Sequence, residues 1–537
     1  GAGMSIHRPI LQVVDRPLPD ADRAERAKWK ILLINPPHIQ IRGLYARVVF
    51  EPLGLAYVAG ALLEAGYPVE ILDTIGEGFD QLSQHDDNRD VVGLAFDAIR
   101  DRIAQANPRI VGIGIPFTIR AESAYRIAGI VKAIAPTITT VVGGIHVTGH
   151  AEECLSQPSV DIICMGEGER IIVEVADALS QGGRDADLAL IGGIGYRNAD
   201  GQPQINRREQ VVMNLDELPN PARHLLPYDR YFSAQKVFAT GRYGQRFATV
   251  STSRGCPYTC NFCTINILFG RKWRVRSAEC VVDEIQYLVR DFGVEFIHFE
   301  DDNLTLDKQR TRHIGELLIE RGVRVKWDTP NGTMAHTLCD DSLLRVLKQS
   351  GCKLLCFAPE SGDQWAVENI LKKHIDLEKT KIAVALCKRI GIRTEAFFVI
   401  GSVGETKAHI QNTLNYARDL RRLGLAKCHF HIATPFEGTD LYEDAKKGGF
   451  LVEAPEGCIK LEAPRIATND FTVQDIDRFF YEASKINSRI PWNKIGLGFH
   501  LLWTDPFRLV RAMRRYFTQR VSGLSGEIGL PTEKGSL

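Results

Sequence analysis

Short apolar runs, each ended by a turn, alternate with stretches of helical periodicity through the first 200 residues of the chain. The apolar runs cover residues 30–34, 69–73, 110–115, 140–144 and 161–165. Helical stretches at 53–65 and 90–106 separate the first three of these runs. Continuous apolar runs are typical of strands that helices cover on both faces. The pattern therefore predicts a doubly wound parallel α/β sheet, a Rossmann-like domain, over residues 29–195.

A second series of strand-like and helical stretches follows a connector that spans residues 196–245 and contains many turn residues. Its strand-like runs cover residues 247–251, 296–300, 323–327, 353–358, 393–400 and 427–433. Six strand–helix units of this kind predict a partial (β/α)6 barrel of TIM type over residues 246–460. The repeat stops near residue 460, and residues 461–537 are predicted to form a helical C-terminal region.

The carboxyl ends of the predicted first-sheet strands are candidates for ligand binding, because ligands of doubly wound sheets lie beyond that edge. Several glycines stand there, and glycine lets a backbone approach a flat or bulky ligand closely. The candidate residues are Pro116, Phe117, Thr118, Gly143, Gly144, His146, Gly166, Glu167 and Gly168. Glycine-rich strand ends are common to many domains of this class, so the ligand has to be identified from other features.

Composition narrows the class of protein. The 537 residues include 66 basic and 66 acidic side chains, which gives no electrostatic reason to expect nucleic-acid binding. A secretory signal and a run of about 20 apolar residues are both missing, which predicts a cytoplasmic protein. Residues 492–521 mix aromatic and basic side chains, a pattern that suits peripheral membrane contact, a substrate cover or a helix packed on the barrel.

Three cysteines with a CxxxCxxC spacing, Cys256, Cys260 and Cys263, follow the first predicted barrel strand. They could hold three irons of a 4Fe–4S cluster, whose irons are normally held by four cysteines. The fourth iron would then remain open to a chelating ligand. The alternatives are a zinc site, which normally needs four closed ligands, and three incidental cysteines. The other cysteines form no second trio, which predicts a single cluster.

The cysteine run, with Phe262 before its last cysteine, resembles the signature of radical S-adenosylmethionine (SAM) enzymes. In that family the amino and carboxylate groups of SAM chelate the open iron. The resemblance extends to three barrel strand ends and implies SAM-binding roles there. The residues concerned are Asp301 or Asp302, Glu360 with Ser361, and Gly401. The resemblance implies a SAM-binding role for Phe262 of the cysteine run as well. The arginines Arg274 and Arg276 match a basic stretch that could steady carboxylate or cluster charge, or simply begin a solvated helix.

The segment over residues 29–195 resembles the cobalamin-binding domain that precedes many radical SAM domains, with Gly143-Gly144-Ile145-His146 and Gly166-Glu167-Gly168-Glu169 as the matching residues. The alternative is a degenerate domain that keeps only the fold. Many corrinoid proteins carry Asp-x-His-x-x-Gly after the first strand, but this chain has neither the Asp nor the Gly around His38. The expectation is base-off cobalamin without a histidine axial ligand, with His38 as the fallback ligand.

The combined resemblance implies a cobalamin-dependent radical SAM methyltransferase. Such an enzyme uses SAM twice, as the methyl source for cobalamin and as the source of the 5′-deoxyadenosyl radical that activates a carbon. The main alternative is a related cyclase, rearrangement or oxidation enzyme without methyl transfer; a methylthiotransferase and a corrinoid sensor fit less well. The expected partners are a flavodoxin or ferredoxin as electron donor and an apolar or anionic small molecule, such as a lipid, tetrapyrrole or natural-product intermediate.

Overall fold

The computed structural model describes residues 24–42, 49–183, 186–207, 211–238, 245–453 and 465–487. The predicted doubly wound sheet is confirmed, with five parallel strands in the chain order 2-1-3-4-5. These strands are Ile31–Asn35, Val69–Asp73, Ile110–Gly114, Thr139–Gly143 and Ile162–Cys164. The order reverses between the first and third strands, so the ligand edge of this sheet lies where Asn35 and Gly114 end their strands.

Two further strands extend this sheet beyond the predicted five. Ile194–Arg197 pairs antiparallel with the fifth strand, and Pro203–Asn206 pairs antiparallel with Ile194–Arg197. The turn between them, at residues 198–201, was expected to belong to the connector. A separate three-stranded antiparallel sheet consists of His38–Ile41, Leu82–Gln84 and Arg89–Val92. The helix expected from residue 90 therefore begins later, at Phe96.

Helices cover both faces of the first sheet. They are Leu53–Glu64, Thr74–Glu77, Phe96–Ala106, Ala121–Ile134, Ile145–Gly149, Ala151–Ser156 and Gly168–Gly182. The longest, Gly168–Gly182, places Ile171, Val175 and Leu179 in the core at spacings of four residues. A helix at Tyr228–Phe238 lies in the connector.

The six predicted barrel strands form one parallel sheet in sequence order. They are Phe247–Val250, Phe296–Phe299, Lys326–Thr333, Cys352–Glu360, Arg393–Ile400 and Lys427–Ile432. The helices of this part are Ile265–Leu268, Ala278–Phe292, Lys308–Glu320, Asp341–Gln349, Gln364–Asn369, Leu377–Ile390, Lys407–Leu423, Asp440–Gly448 and Val473–Ile486. Ser277 caps its helix as predicted, because its side chain accepts a hydrogen bond from the Cys280 N–H.

One hydrophobic core runs through both domains. It contains Val175 from the first domain, Tyr231 from the connector, and Val250 and Ile285 from the barrel. None of the helices in the described ranges is long and apolar enough to cross a membrane. The predicted membrane-contact segment, residues 492–521, lies outside the described residues.

Candidate functional site

A short hairpin closes the cysteine loop at its base. Ser253–Arg254 pairs antiparallel with Arg274–Val275, so the intervening residues project from the barrel as one loop. Gly255 begins this loop at φ +81°, and a Cβ there would lie 2.5 Å from the Lys272 carbonyl oxygen. A side chain at position 255 would therefore disrupt the turn that delivers Cys256.

The three loop cysteines are half-buried free thiols. Burial raises the pKa of each thiol, that of Cys260 to about 12. The positive charge of Lys373 acts in the opposite direction at all three. No group of three or more His, Cys, Asp or Glu side chains within the described ranges could hold a single metal ion. Three neighbouring thiols in one partly buried loop fit the ligand set of an iron–sulfur cluster, which binds its cysteines as thiolates.

The structure distinguishes Asp301 from Asp302, two adjacent acidic residues that follow the second barrel strand and that the sequence could not tell apart. Asp301 is buried, and its carboxylate accepts hydrogen bonds from the Thr252 N–H, the Thr252 hydroxyl and the Ser253 hydroxyl. It therefore holds the hairpin that carries the cysteine loop. Asp302 is half-buried, and burial together with Asp301 and Glu300 raises its pKa to about 7. Because Asp302 also raises the pKa of Cys256 and Cys263, it faces the cysteine side.

The fourth strand end brings Glu360 to the same region. Glu360 has φ +64°, a conformation that residues other than glycine rarely adopt and that is typical of functional sites. Its Oε1 accepts a hydrogen bond from Nζ of Lys373 at 2.9 Å. The neighbouring Ser361 is fully buried, and its hydroxyl lies 2.9 Å from that of Thr413. Glu360 is thus placed for ligand contact, whereas the Ser361 hydroxyl contacts the helix Lys407–Leu423.

Gly401 ends the fifth strand at φ +90°, and its N–H donates to Oε2 of the buried Glu405 at 2.8 Å. The Ser402 N–H donates to the same oxygen. Phe262, from the cysteine loop, packs against the apolar clusters that contain Val399 and Leu371. These contacts place the end of the fifth strand directly beneath the cysteine loop.

The buried carboxyl group of Glu405 is expected to make the free energy of unfolding depend on pH. Burial raises its pKa from 4.5 to about 7, and its Oε1 has no hydrogen-bond partner among the described residues. Between these two values the folded protein holds a proton that the unfolded chain releases, so the free energy of unfolding falls as the pH rises. The loss amounts to about 3 kcal/mol, at 1.36 kcal/mol per unit of pKa shift.

We therefore expect Glu405→Gln to be more stable than wild type by an amount that grows between pH 5 and pH 7 and levels off above about pH 8. Urea unfolding midpoints at pH 5, 6, 7 and 8 would measure this difference. Glu378→Gln, at an exposed carboxylate, is the control and should follow the wild-type curve. A constant difference between Glu405→Gln and wild type across this range would contradict the prediction.

The ligand edge of the first sheet presents apolar side chains outward. Phe117 is 60% exposed and Ile119 is 53% exposed, next to Pro116 and Thr118. Gly144 has φ +122°, and a Cβ there would lie 2.6 Å from the Ile115 carbonyl oxygen, so this turn requires glycine. Exposed apolar side chains beside a tight glycine turn fit a flat hydrophobic ligand such as a corrin ring.

His146 is buried behind this edge and does not point into open space. Its Nδ1 lies 3.2 Å from the Thr118 hydroxyl and its Nε2 lies 3.3 Å from the Tyr125 hydroxyl. Its ring stacks on that of His150 at 4.6 Å. His146 therefore supports the candidate loop around Thr118 from within the domain.

A cavity of about 690 Å³ opens between the two domains. Its lining includes Gly149, Gly166, Arg170 and Arg207 of the first domain and Ile267 of the cysteine loop. No atom lies within 4 Å of the position that a Cβ would take at Gly149 or Gly166. The bare backbone at these glycines leaves space for a bulky group, which fits the nucleotide tail of a corrinoid.

Glu167 joins the domains instead of facing open space. It forms ion pairs with Arg274 and Arg254, and Arg254 also pairs with Glu169. Arg276 forms a buried pair with Glu284. The two arginines that were expected to steady ligand charge, or to be solvated, are both buried and hold structural carboxylates.

His38 begins the strand His38–Ile41 of the small antiparallel sheet. Its Nε2 is 3.0 Å from a guanidinium nitrogen of Arg120. Burial and the charge of Arg120 lower its pKa to about 3, so the imidazole is neutral. Its Nδ1 has no hydrogen-bond partner among the described residues. The expectation that cobalt lacks a histidine ligand remains a prediction.

Sequence reasoning missed two contacts of the site. Lys373 carries no motif, and its pairing with Glu360 depends on the path of the chain after the fourth strand. Glu437 stands near the end of the barrel and lies 3.4 Å from His150 of the first domain. Position 437 belongs to none of the predicted sites, so the sequence does not mark this interdomain contact.

Family models match both parts of the chain. The B12 binding domain matches residues 39–176, and the Radical SAM superfamily matches residues 250–417. A cytidylyl-2-hydroxyethylphosphonate methyltransferase of Streptomyces wedmorensis is 29% identical, over 83% of this chain and 86% of that protein. An uncharacterized methyltransferase of Pyrococcus horikoshii is 30% identical, over 84% of this chain and 91% of that protein. An anaerobic magnesium-protoporphyrin IX monomethyl ester cyclase of Rubrivivax gelatinosus is 31% identical, over 77% of this chain and 70% of that protein.

Solved structures share the fold. The radical S-adenosylmethionine methyltransferase TsrM from Kitasatospora setae superimposes with a TM-score of 0.62 at 19% identity, covering 79% of this chain and 77% of that one. The cobalamin-dependent S-adenosylmethionine radical enzyme OxsB gives a TM-score of 0.58 at 16% identity, covering 85% of this chain and 56% of that one. The predicted order of a Rossmann-like domain before a partial barrel is thereby confirmed.

Proposed function

Because this chain belongs to the cobalamin-dependent radical SAM enzymes, we propose that it transfers a methyl group from SAM to an unactivated carbon of a small molecule. The observation that carries the proposal is a cavity between the two domains that both candidate ligand sites reach. The cysteine loop supplies Ile267 to the wall of the interdomain cavity that Gly149 and Gly166 line on the other side. A methyl carrier in the first domain would therefore lie next to the radical source in the second.

Different residues of the chain would hold each of the three ligands. Cys256, Cys260 and Cys263 would hold the cluster, while Asp302 and Glu360 offer carboxylates for SAM, and the turns at Gly144 and Gly166 would hold the corrinoid. When bound, the cluster with SAM supplies a carbon-centred radical and the corrinoid supplies a methyl carrier. The half-burial of the cysteine loop limits water access, which protects a reactive species.

The ion pairs between the domains support a fixed distance between the two proposed ligand sites. Arg254 reaches from the cysteine hairpin to Glu169 and Glu167, which begin the helix after the fifth first-sheet strand. All three side chains are at least nine-tenths buried. Buried, geometrically well-formed pairs of this kind resist rearrangement, because breaking one leaves an uncompensated charge.

A test of methyl transfer uses the anaerobic full-length chain with its cofactors, a reductant and SAM labelled in the methyl group. The substrate of the Streptomyces wedmorensis relative, cytidylyl-2-hydroxyethylphosphonate, and magnesium-protoporphyrin IX monomethyl ester would serve as probes. The proposal expects label in the product. Formation of 5′-deoxyadenosine with a changed but unlabelled product would instead establish the second candidate, a cyclase or oxidation enzyme, which the cyclase relatives favour.

We extend the proposal to an acidic electron-carrier protein, a flavodoxin or ferredoxin, as the electron donor. A surface groove of about 830 Å³ reaches Tyr258 within the cysteine loop and is also lined by His336 and Lys379. The charges of Lys379 and Lys308 both lower the pKa of His336, so the potential at this side chain is positive. The groove as a whole is mixed in charge, because its lining also includes Glu368, Asp376 and Glu378. Positive patches steer acidic partners toward the surface that carries them.

We expect Lys379→Glu to slow reduction of the cluster by flavodoxin several-fold, with the largest effect at low ionic strength. Stopped-flow absorbance of the cluster would measure the rate. Dithionite at high ionic strength, where its own negative charge is screened, should reduce wild type and variant equally fast. Equal rates with flavodoxin as well would exclude this groove as the docking site.

A further inference from the structure

A buried lysine lies beside the cysteine loop without belonging to any motif. Lys373 follows the helix Gln364–Asn369, and its side chain is only 9% exposed. Its Nζ lies 2.9 Å from Oε1 of Glu360, whose side chain is 10% exposed. Burying an ammonium group costs several kcal/mol unless it is paired and hydrogen-bonded. The ion pair with Glu360 therefore offsets a cost of burial that a lysine on the surface would not have.

The segment that carries Lys373 is bound directly to the cysteine loop. The Asn261 N–H, which lies between Cys260 and Cys263, donates to the Leu371 carbonyl oxygen at 3.2 Å. Phe262 packs against the apolar cluster that contains Leu371. The Lys373–Glu360 pair therefore lies beside the cysteine trio, with one cation and one anion whose charges act there with opposite sign.

The contact between Lys373 and Glu360 also fixes a residue whose backbone is strained. Glu360 stands at φ +64°, directly after a shift in register between its strand and the next. A backbone of this kind costs of order 1–3 kcal/mol and persists only where surrounding contacts fix it. The bond to Lys373, 13 residues further along the chain, is such a contact.

We propose that Lys373 is a positioning residue that raises the reduction potential of the cluster and fixes Glu360 for its ligand. The inference rests on the proposed function, because it requires that the cysteine trio hold a 4Fe–4S cluster. Reduction adds negative charge to a cluster, and net charge near the cluster is one of the factors that set its potential. A fixed cation beside the thiolates stabilises the reduced form, and the anion of the pair weakens that stabilisation.

The test is an anaerobic redox titration of the cluster, followed by electron paramagnetic resonance, on the full-length chain without SAM, cobalamin or substrate. Lys373→Met should shift the midpoint potential to more negative values, and Lys373→Arg should remain near wild type. Glu360→Gln should shift it to more positive values, because it leaves the cation uncompensated. Lys372→Met is the matched control: this neighbouring lysine is exposed, pairs with Asp440 at 2.9 Å and should leave the potential unchanged.

Opposite shifts in Lys373→Met and Glu360→Gln support the inference, since a merely structural role would not produce two signs. Equal potentials in all variants, or shifts of one sign, would overturn it. If Lys373→Met does not assemble a cluster, assembly in Lys373→Arg supports the requirement for a cation, and failure in both overturns it. A wild-type chain that shows no 4Fe–4S signal would refute the proposed function itself, which keeps the two failures distinct.

Discussion

Substitution of Cys260 by alanine is expected to abolish both the cluster and all SAM cleavage. Cys260 lies at the centre of the loop, where its thiol interacts with those of Cys256 and Cys263. With three cysteines available instead of the usual four, no spare ligand remains to replace a lost thiolate. Iron analysis of the anaerobically reconstituted variant should fall from about four atoms per chain, the content of a 4Fe–4S cluster, to below one.

The control for this prediction is Cys280→Ala. Cys280 is a half-buried free thiol in the first turn of the helix Ala278–Phe292 and lies outside the loop. Its variant should retain about four irons and normal formation of 5′-deoxyadenosine. Retention of the full iron content in Cys260→Ala would show that the trio is not the cluster site.

Replacement of Arg223 by methionine is expected to lower the free energy of unfolding by about 3–5 kcal/mol, the usual cost of breaking a buried ion pair. Arg223 is fully buried in the connector. Its guanidinium lies 3.0 Å from Glu51 of the first domain and 2.6 Å from Glu284 of the barrel, and it also donates to the Thr249 carbonyl. One side chain thus joins three parts of the chain, and its loss leaves two buried carboxylates short of a partner.

Urea unfolding followed by circular dichroism would measure this loss. Arg100→Met is the control, because Arg100 is exposed and pairs with the surface carboxylates Asp97 and Asp101. Exposed pairs of this kind contribute roughly 0–1 kcal/mol. The double variant Arg223→Met/Glu51→Gln should be more stable than Arg223→Met alone, because it removes one uncompensated charge. A loss no larger than that of Arg100→Met would contradict the role assigned to this network.

The sequence predicts those parts of the site that short local segments determine. The CxxxCxxC spacing places three thiols in one loop whatever the rest of the chain does, and apolar runs that alternate with helices predict parallel strands. Strand ends such as Glu360 and Gly401 then come together because parallel strands share one carboxyl edge. The added hairpin strands Ile194–Arg197 and Pro203–Asn206 were missed, because their turn resembles any connector turn.

The functions of individual side chains at that edge depend on distant contacts and could not be read from the sequence. Asp301 and Asp302 differ only because Thr252, 49 residues earlier, takes the first carboxylate. Glu167 was grouped with the glycines of its turn, but Arg254 and Arg274 of the other domain pair with it. Lys373 has no pattern around it, and its significance follows from burial beside Glu360.

The central claim is that a methyl carrier in the first domain receives its methyl group from SAM bound at the second. The most direct measurement needs no substrate: the reduced, cobalamin-loaded chain is incubated anaerobically with methyl-labelled SAM, and the protein-bound corrinoid is then isolated. The account predicts label in the corrinoid together with an equal amount of S-adenosylhomocysteine. Label that remains entirely in SAM and methionine, with an unlabelled corrinoid, would contradict it.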